Sequence, residues 1–214
     1  MNTNATGQYE ELDLRAWFGD IDVYLFDALL KGRLRPPQKV LDAGCGTGRN
    51  LPYLWRAGFD VFAIDENVDA LEIVKEQALA AAPAQFALLE KQILEAKIEA
   101  LPFPDAHFDS VLCVAVLHFS EGRQHFEAQL NELWRVLRPG GWLFVRLGTR
   151  MGLENEVISD GERWIQPDGA HWYLPDAAEL AALEKKLGAR RADPLKTSLV
   201  VGKRSMGTWS LYKA

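Results

Sequence analysis

The sequence predicts an α/β fold: a doubly wound, mostly parallel sheet of seven strands that closes with an antiparallel C-terminal pair. Three observations carry this. From Lys39 to Leu147, short β-branched or apolar runs alternate with segments of helical periodicity. A glycine-rich stretch, "VLDAGCGTGRN" at Val40 to Asn50, follows the first of those runs directly. In the last third the rhythm changes to period-two runs around Gly202, the pattern of antiparallel strands.

Taken in order, Leu14, Trp17, Phe18, Ile21, Tyr24, Leu25, Ala28 and Leu29 recur at helical spacing and predict one amphipathic helix, ended by "RPPQ". The strand "KVLDAG", a helix from about Gly48 to Ala57, a stop at Gly58 and the strand "DVFAID" come next. Asn67 caps a helix running through Leu71 and Val74 to about Ala81. A short helical turn and a strand at "QILEAKI" precede the buried strand "FDSVLCVAV". A helix through Phe126, Leu130, Leu133, Trp134 and Leu137 leads to "RPGG", read as a turn, and to the strand "WLFVRL". "RWIQPDGAHWYL" reads as a hairpin about Pro167, Asp168 and Gly169. "DAAELAALEKKLG" is a helix closed by Gly188, and the two final strands follow.

No internal repeat or linker divides the chain. It reads as one domain: a helical N-terminal cap (1–36), a core carrying the glycine loop (37–148), a hairpin lid (149–175), and a C-terminal helix with its strand pair (176–214).

Composition excludes several functions. With 24 basic against 30 acidic residues and a net charge of -6, the chain lacks the clustered cations of a nucleic-acid groove. No apolar run is long enough to span a membrane, and the polar start shows no secretory signal, so a cytoplasmic protein without a membrane partner is expected. Cys45 and Cys113 fall in apolar or glycine-rich stretches and read as small packing residues in a reducing compartment. The four histidines share no metal-ligand spacing with each other or the cysteines, so no metal is expected.

The glycine loop selects among ligands. Dinucleotide loops carry glycines at relative positions one, three and six. Here Gly44, Gly46 and Gly48 fall at one, three and five, and Arg49 takes the sixth place. A triphosphate loop needs Lys followed by Ser or Thr, which Arg49 and Asn50 do not supply. Asp42, just before the loop, would repel a polyphosphate but accept from an ammonium. Asp65 ends the second strand about 20 residues on, where an acid takes ribose hydroxyls. A ligand with a ribose, an ammonium and no phosphate fits. S-adenosylmethionine is one.

"VLDAGCGTGRN", "VFAIDEN", "IEALPFPDAHFDSVLCVAVLHF" and "WRVLRPGGWLFV" together resemble, in order, the motifs of class I S-adenosylmethionine-dependent methyltransferases of the type 11 kind. The "GTGRN" form is also similar to small tellurite-resistance-type members. The resemblance spans about Val40 to Val145 and implies a Rossmann-like sheet with S-adenosylmethionine as methyl donor. It further implies that Asp42 and the Gly44, Cys45 and Gly46 backbone hold the methionine part, and that Asp65, with Glu66 beside it, holds the ribose. Ile98 would meet the adenine edge, and residues around Val114 the methyl group. One position departs from the family: the residue before Ile98, often an acid that accepts from the adenine amino group, is Lys97, which has donors only. Glu99 or a carbonyl is then expected to accept instead.

On the acceptor side, His118 ends the "AVLHF" segment and is a candidate general base. Arg146 and Arg150, at or beyond the fifth strand end, are candidates to pair an acidic group on the substrate. Tyr24 and Trp172, with Trp17, Trp164 and Tyr173, are candidates to cover the mouth. The expected activity is methyl transfer to a small molecule through oxygen, nitrogen or carbon. A macromolecular acceptor, a non-catalytic S-adenosylmethionine-binding protein and a nicotinamide oxidoreductase are the rival readings.

Overall fold

The computed structural model describes residues 14–214. The start of the predicted N-terminal cap, residues 1–13, lies outside the described residues.

The single N-terminal helix read from the periodicity is two helices, α1 (Leu14–Phe18) and α2 (Val23–Leu30). Gly19 turns the chain into the left-handed region at φ +61°. Asp22 then starts α2 afresh, its Oδ1 accepting from the N–H groups of Tyr24 (2.9 Å) and Leu25 (3.2 Å). The apolar spacing runs on across the break, where the rings of Phe18 in α1 and Phe26 in α2 meet with centroids 4.7 Å apart; the glycine and the capping acid decide the boundary.

The core alternates as expected: β1 (Lys39–Ala43), α3 (Leu51–Arg56), β2 (Asp60–Asp65), α4 (Val68–Ala81), α5 (Phe86–Leu89), β3 (Ile93–Glu95), β4 (Phe108–Val114), α6 (Arg123–Val136) and β5 (Leu137–Thr149). Asn67 caps α4 by accepting from the Ala70 N–H. α3 begins at Leu51 rather than Gly48, whose φ of +79° no right-handed helix tolerates. The "RPGG" segment, expected as a free turn, is drawn into β5. Leu137 pairs with Phe108, the register shifts before Ser110 meets Trp142, and the Gly140 N–H donates to the Lys213 carbonyl, so the segment is a bulge held at both sides.

The remaining elements are β6 (Ile158–Asp160), β7 (Arg163–Ile165), β8 (His171–Trp172), α7 (Ala177–Leu187), β9 (Arg190–Arg191), β10 (Lys196–Val200) and β11 (Arg204–Tyr212). The central sheet runs β10-β11-β5-β4-β1-β2-β3, with the short β9 also on β11. Neighbours from β5 to β3 are parallel, and β11 lies antiparallel to both β5 and β10. The predicted hairpin is β7–β8, and β6 joins it as a third strand. β6 is exposed at all three positions, so no hydrophobic alternation announced it.

Each face of the sheet is covered by helices, which strand alternation makes explicit. Leu143, Val145 and Leu147 of β5 pack with α6 and α7 residues such as Phe126, Leu130 and Leu180. Trp142 and Phe144 pack on the opposite side with Leu25, Leu51, Leu54 and Val74.

α7 carries its own stop and start signals. Asp176 accepts from the Glu179 N–H at 2.8 Å, Glu179 returns the bond to the Asp176 N–H at 2.9 Å, and Gly188 closes the helix at φ +63°. Arg150 holds the same Asp176 carboxylate, tying the end of β5 to this cap. Asp176→Ala is expected to cost about 1–2 kcal/mol, the usual worth of a helix cap, and Glu179→Gln distinctly less. Urea midpoints of the two variants check this order.

Candidate functional site

A cleft of about 760 Å³ opens at the carboxyl ends of β1, β2 and β4. The chain leaves β1 toward β2 on one side, while β4 flanks β1 on the other, so the winding reverses at this edge. Such a reversal leaves a crevice between the diverging connections. Gly44, Gly46, Asp65, Glu66, Lys97, Ile98 and Glu99 line it, joined by Ala115, Val116 and Phe119 after β4 and by Glu121, His125 and Gln129 at the start of α6.

The loop is fastened to β2. The N–H groups of Gly44 and Cys45 both donate to the Ile64 carbonyl at 2.9 Å. Gly46 N–H donates to Asp65 Oδ2 at 2.8 Å, and Asn67 N–H to Asp65 Oδ1 at 2.9 Å. Each carboxylate oxygen retains lone-pair capacity for a second donor, and Asp65 is half-buried at the cleft wall. Gly44 must lack a side chain for two reasons: its φ is +73°, and a Cβ there would stand 2.6 Å from Val116 Cγ2.

Asp42 lies directly beneath the loop, 1% exposed, and neither carboxylate oxygen has a well-formed hydrogen bond within the protein. Burial pushes its pKa up to about 7, against the opposing pull of Asn50 and Arg49. A carboxylate so deprived gains from a cationic partner.

At the other end, Ile98 is buried against the wall while Lys97 is exposed at the rim. Glu99 faces His125 across 3.5 Å, and His125 Nδ1 accepts from the Glu121 N–H at 3.2 Å. The Glu99 carboxyl lies below its usual range despite desolvation, through backbone and His125 hydrogen bonds. Glu99 is therefore an ionised acceptor in the place where Lys97 offers none.

Seven expected site residues stand outside the cleft lining: Asp42 beneath the loop, and Cys45, Val114, His118, Tyr24, Arg146 and Trp172. Val114 is buried, and its successors Ala115 and Val116 form the wall; Ala115, at φ +64°, turns the chain out of β4 with its N–H held by the Arg146 carbonyl at 2.7 Å. Cys45 packs behind the loop, and desolvation raises its thiol far above neutrality, as it does for Cys113. His118 is 1% exposed, its ring centroid 4.0 Å from that of Trp172 at a tilt of 38°, with Nδ1 accepting from the Gly148 N–H at 3.1 Å. Burial lowers its pKa to about 4, so the imidazole is neutral and its acceptor nitrogen is engaged. This geometry makes His118 a brace between the β4 turn, β5 and the lid, and leaves it no free lone pair for a base.

Tyr24 and Arg146 are brought together, but in the interior. The Arg146 guanidinium lies 4.2 Å from the Tyr24 ring centroid and is 8% exposed. Trp172 reaches the cleft indirectly, through an edge contact with Phe119 at 5.7 Å. Arg150, raised as an alternative substrate cation, is occupied by Asp176, Glu179 and the Trp164 ring. Phe119, Glu121, His125 and Gln129 were absent from the sequence reading. Their only sequence signal is position: they follow a strand whose end forms the crevice.

Residues 41–145 match the family model for the methyltransferase domain. An uncharacterized methyltransferase of Bacillus subtilis, YodH, is 36% identical over 118 residues, covering 54% of this chain and 45% of the relative. A demethylmenaquinone methyltransferase of Thermus thermophilus is 36% identical over 115 residues, covering 52% and 47%. The match thus spans about half the length of each relative. Among solved structures, the PH0226 protein of Pyrococcus horikoshii superposes with a TM-score of 0.65 at 19% identity, over 94% of this chain and 97% of that one, which supports the fold. The stretch from Leu41 to Val145 is a methyltransferase domain of the class I, S-adenosylmethionine-dependent type.

Asp42 and His118 oppose each other in the pH dependence of stability. Asp42, with its pKa raised to about 7, binds a proton in the folded state that the unfolded state has released, so its contribution falls as pH rises from about 4 to about 7. His118, lowered to about 4, is unprotonated when folded while the unfolded chain binds the proton, so its contribution rises from about 4 to about 6.5. Asp42→Asn is expected to leave only the rising limb and to make the ligand-free protein more stable than wild type above pH 7, by an amount on the order of a few kcal/mol. Urea unfolding at pH 5, 6, 7 and 8 tests it; equal pH profiles for both proteins would falsify the assignment.

Proposed function

We propose that this protein transfers a methyl group from S-adenosylmethionine to a small-molecule acceptor and releases S-adenosylhomocysteine. One observation carries the reading: a buried carboxylate without a partner, Asp42, lies beneath a loop whose neighbouring acid, Asp65, keeps free acceptor capacity. An ammonium answers the first and a ribose diol the second, whereas a pyrophosphate would meet two carboxylates.

In this reading Gly44 and Gly46 give the ligand close access to the backbone, Asp42 pairs its ammonium, and Asp65 takes the ribose hydroxyls with Glu66 at the rim. Ile98 contacts the base face, and Glu99 accepts from the adenine amino group in the role that Lys97 cannot fill. When bound, S-adenosylmethionine supplies a methyl carbon already activated by its sulfonium. The chain's own task is alignment and exclusion of water. Ala115 and Val116 wall the reacting side, Phe119 covers it, and His118 and Trp172 hold Phe119 in place. His118 acts by positioning and not as the base. The demethylmenaquinone relative supports a small-molecule acceptor. We place the enzyme in the reducing cytoplasm, with Cys45 and Cys113 as free buried thiols.

Calorimetry on the purified chain tests the assignment. S-adenosylhomocysteine should bind and raise the melting temperature; NAD should do neither. Asp65→Ala is expected to lose roughly 1.5–3 kcal/mol of binding, the range for hydrogen bonds to a charged group. Affinity should strengthen as pH rises through about 7, where Asp42 ionises, and Asp42→Asn should abolish that dependence. Stabilisation by NAD equal to that by S-adenosylhomocysteine would sink the proposal.

A further inference from the structure

Behind the glycine loop, two cations share one anion. Arg49 Nη2 lies 3.1 Å from Asp22 Oδ2, and Arg146 Nε lies 3.6 Å from the same oxygen. The other oxygen, Oδ1, already accepts from two backbone N–H groups as the cap of α2. Asp22 Oδ2 thus accepts from Arg49 while standing beyond hydrogen-bond distance of the Arg146 Nε–H.

Arg146 donates from Nη1 to Thr208 Oγ1 at 2.8 Å and lies under the Tyr24 ring, yet its buried Nε–H finds no acceptor. A charged donor left unmet in the interior is costly, so its retention calls for an explanation.

Its place in the fold supplies one. Arg146 continues the row of Trp142 and Phe144 to the carboxyl end of β5, where an apolar side chain would have packed as well. It sits opposite Val114 and holds the N–H of Ala115, the residue that walls the cleft. Its cover comes from α2, which supplies both Tyr24 and the capping Asp22. Within that helix only Leu25 and Ala28 are buried.

We propose that Arg146, with Arg49 beside it, forms a carboxylate subsite adjoining the reacting side of the cleft, with Asp22 holding the place until α2 shifts. A planar guanidinium pairs a carboxylate through two parallel N–H bonds, which Nε and its neighbouring amino group provide. The proposal rests on the methyl-transfer reading, because the subsite has meaning only beside a methyl donor. The carboxylate is that of the acceptor, which is then a small organic acid; occupation by the amino-acid tail of the donor is the outcome that overturns the assignment.

The Arg146 Nε–H resonance of nitrogen-15-labelled protein reports directly on this contact, assigned by its loss in Arg146→Lys. It is followed with S-adenosylhomocysteine, with 5′-methylthioadenosine (the same nucleoside without the amino-acid tail), and with benzoate or benzylamine added to each. A saturable shift on benzoate with either nucleoside assigns the subsite to an acidic acceptor. A shift with S-adenosylhomocysteine alone, absent with methylthioadenosine and unchanged by benzoate, places the donor's tail there and overturns the acidic-acceptor subsite. In the first case Arg49→Gln, at a position whose side chain is 43% exposed, should weaken benzoate at least fivefold and leave methylthioadenosine affinity and the urea midpoint close to wild type. An Nε–H signal indifferent to every carboxylate, or moved equally by benzylamine, overturns the subsite. Calorimetric failure of S-adenosylhomocysteine to bind would instead overturn the methyl-transfer reading.

Discussion

The cleft depends on one side chain that ends a strand. Asp65 accepts from Gly46 on one oxygen and from Asn67 on the other, so the loop after β1 and the turn into α4 are held by the same carboxylate. With the Ile64 carbonyl bonded to Gly44 and Cys45, three successive loop residues are fastened to β2 before any ligand arrives. The consequence reaches β4: with Gly44 fixed, Val116 can close against it only because no Cβ intervenes. On the far side, Gly48 meets Val74 of α4 under the same restriction, where a Cβ would stand 2.9 Å from its Cγ2. Pre-organisation of this kind removes ordering cost from binding.

Much of this was legible in the residues because it rests on local chemistry. The spacing of Gly44, Gly46 and Gly48, and the offset to Asp65, follow from what a backbone must do at a parallel strand end, and the sheet places them as read. The capped start of α7 and its left-handed stop were equally plain. What escaped the reading is long-range. Nothing near His118 announces that Gly148, 30 residues away, will occupy its Nδ1. Nothing in "RPGG" announces that Lys213 at the chain's end will hold it in a strand. The break at Gly19 was readable in principle, but a continuous apolar stripe outweighed one glycine and one capping acid.

The apparent conflict at Lys97 has the same origin. Motif spacing fixes which residue precedes Ile98, but which acceptor serves the cleft depends on α6, a helix that begins after the next strand. His125 and Glu99 meet across this gap, and the pair keeps a carboxylate ionised at the rim. The structure thus offers, two residues after Lys97, a carboxylate that a second element holds at the cleft.

Stability and binding pull in opposite directions beneath the loop. Asp42 in an apolar strand, flanked by Leu41 and Ala43, costs folding free energy that an asparagine or an aliphatic residue would not. The cost is tolerable because the sheet around it is closed by large buried residues on both faces, Trp142 and Phe144 on one and Leu143 and Val145 on the other. Arg146 repeats the pattern at the end of β5: a buried ion, incompletely met, where an apolar side chain would fit the alternation. Both groups sit at carboxyl ends of parallel strands on the same edge of the sheet, beside one crevice. Folding alone gives no reason to concentrate unmet charge of both signs there. A zwitterionic or acidic ligand, as proposed above, would supply one, since each such charge would regain on binding what it lost on burial.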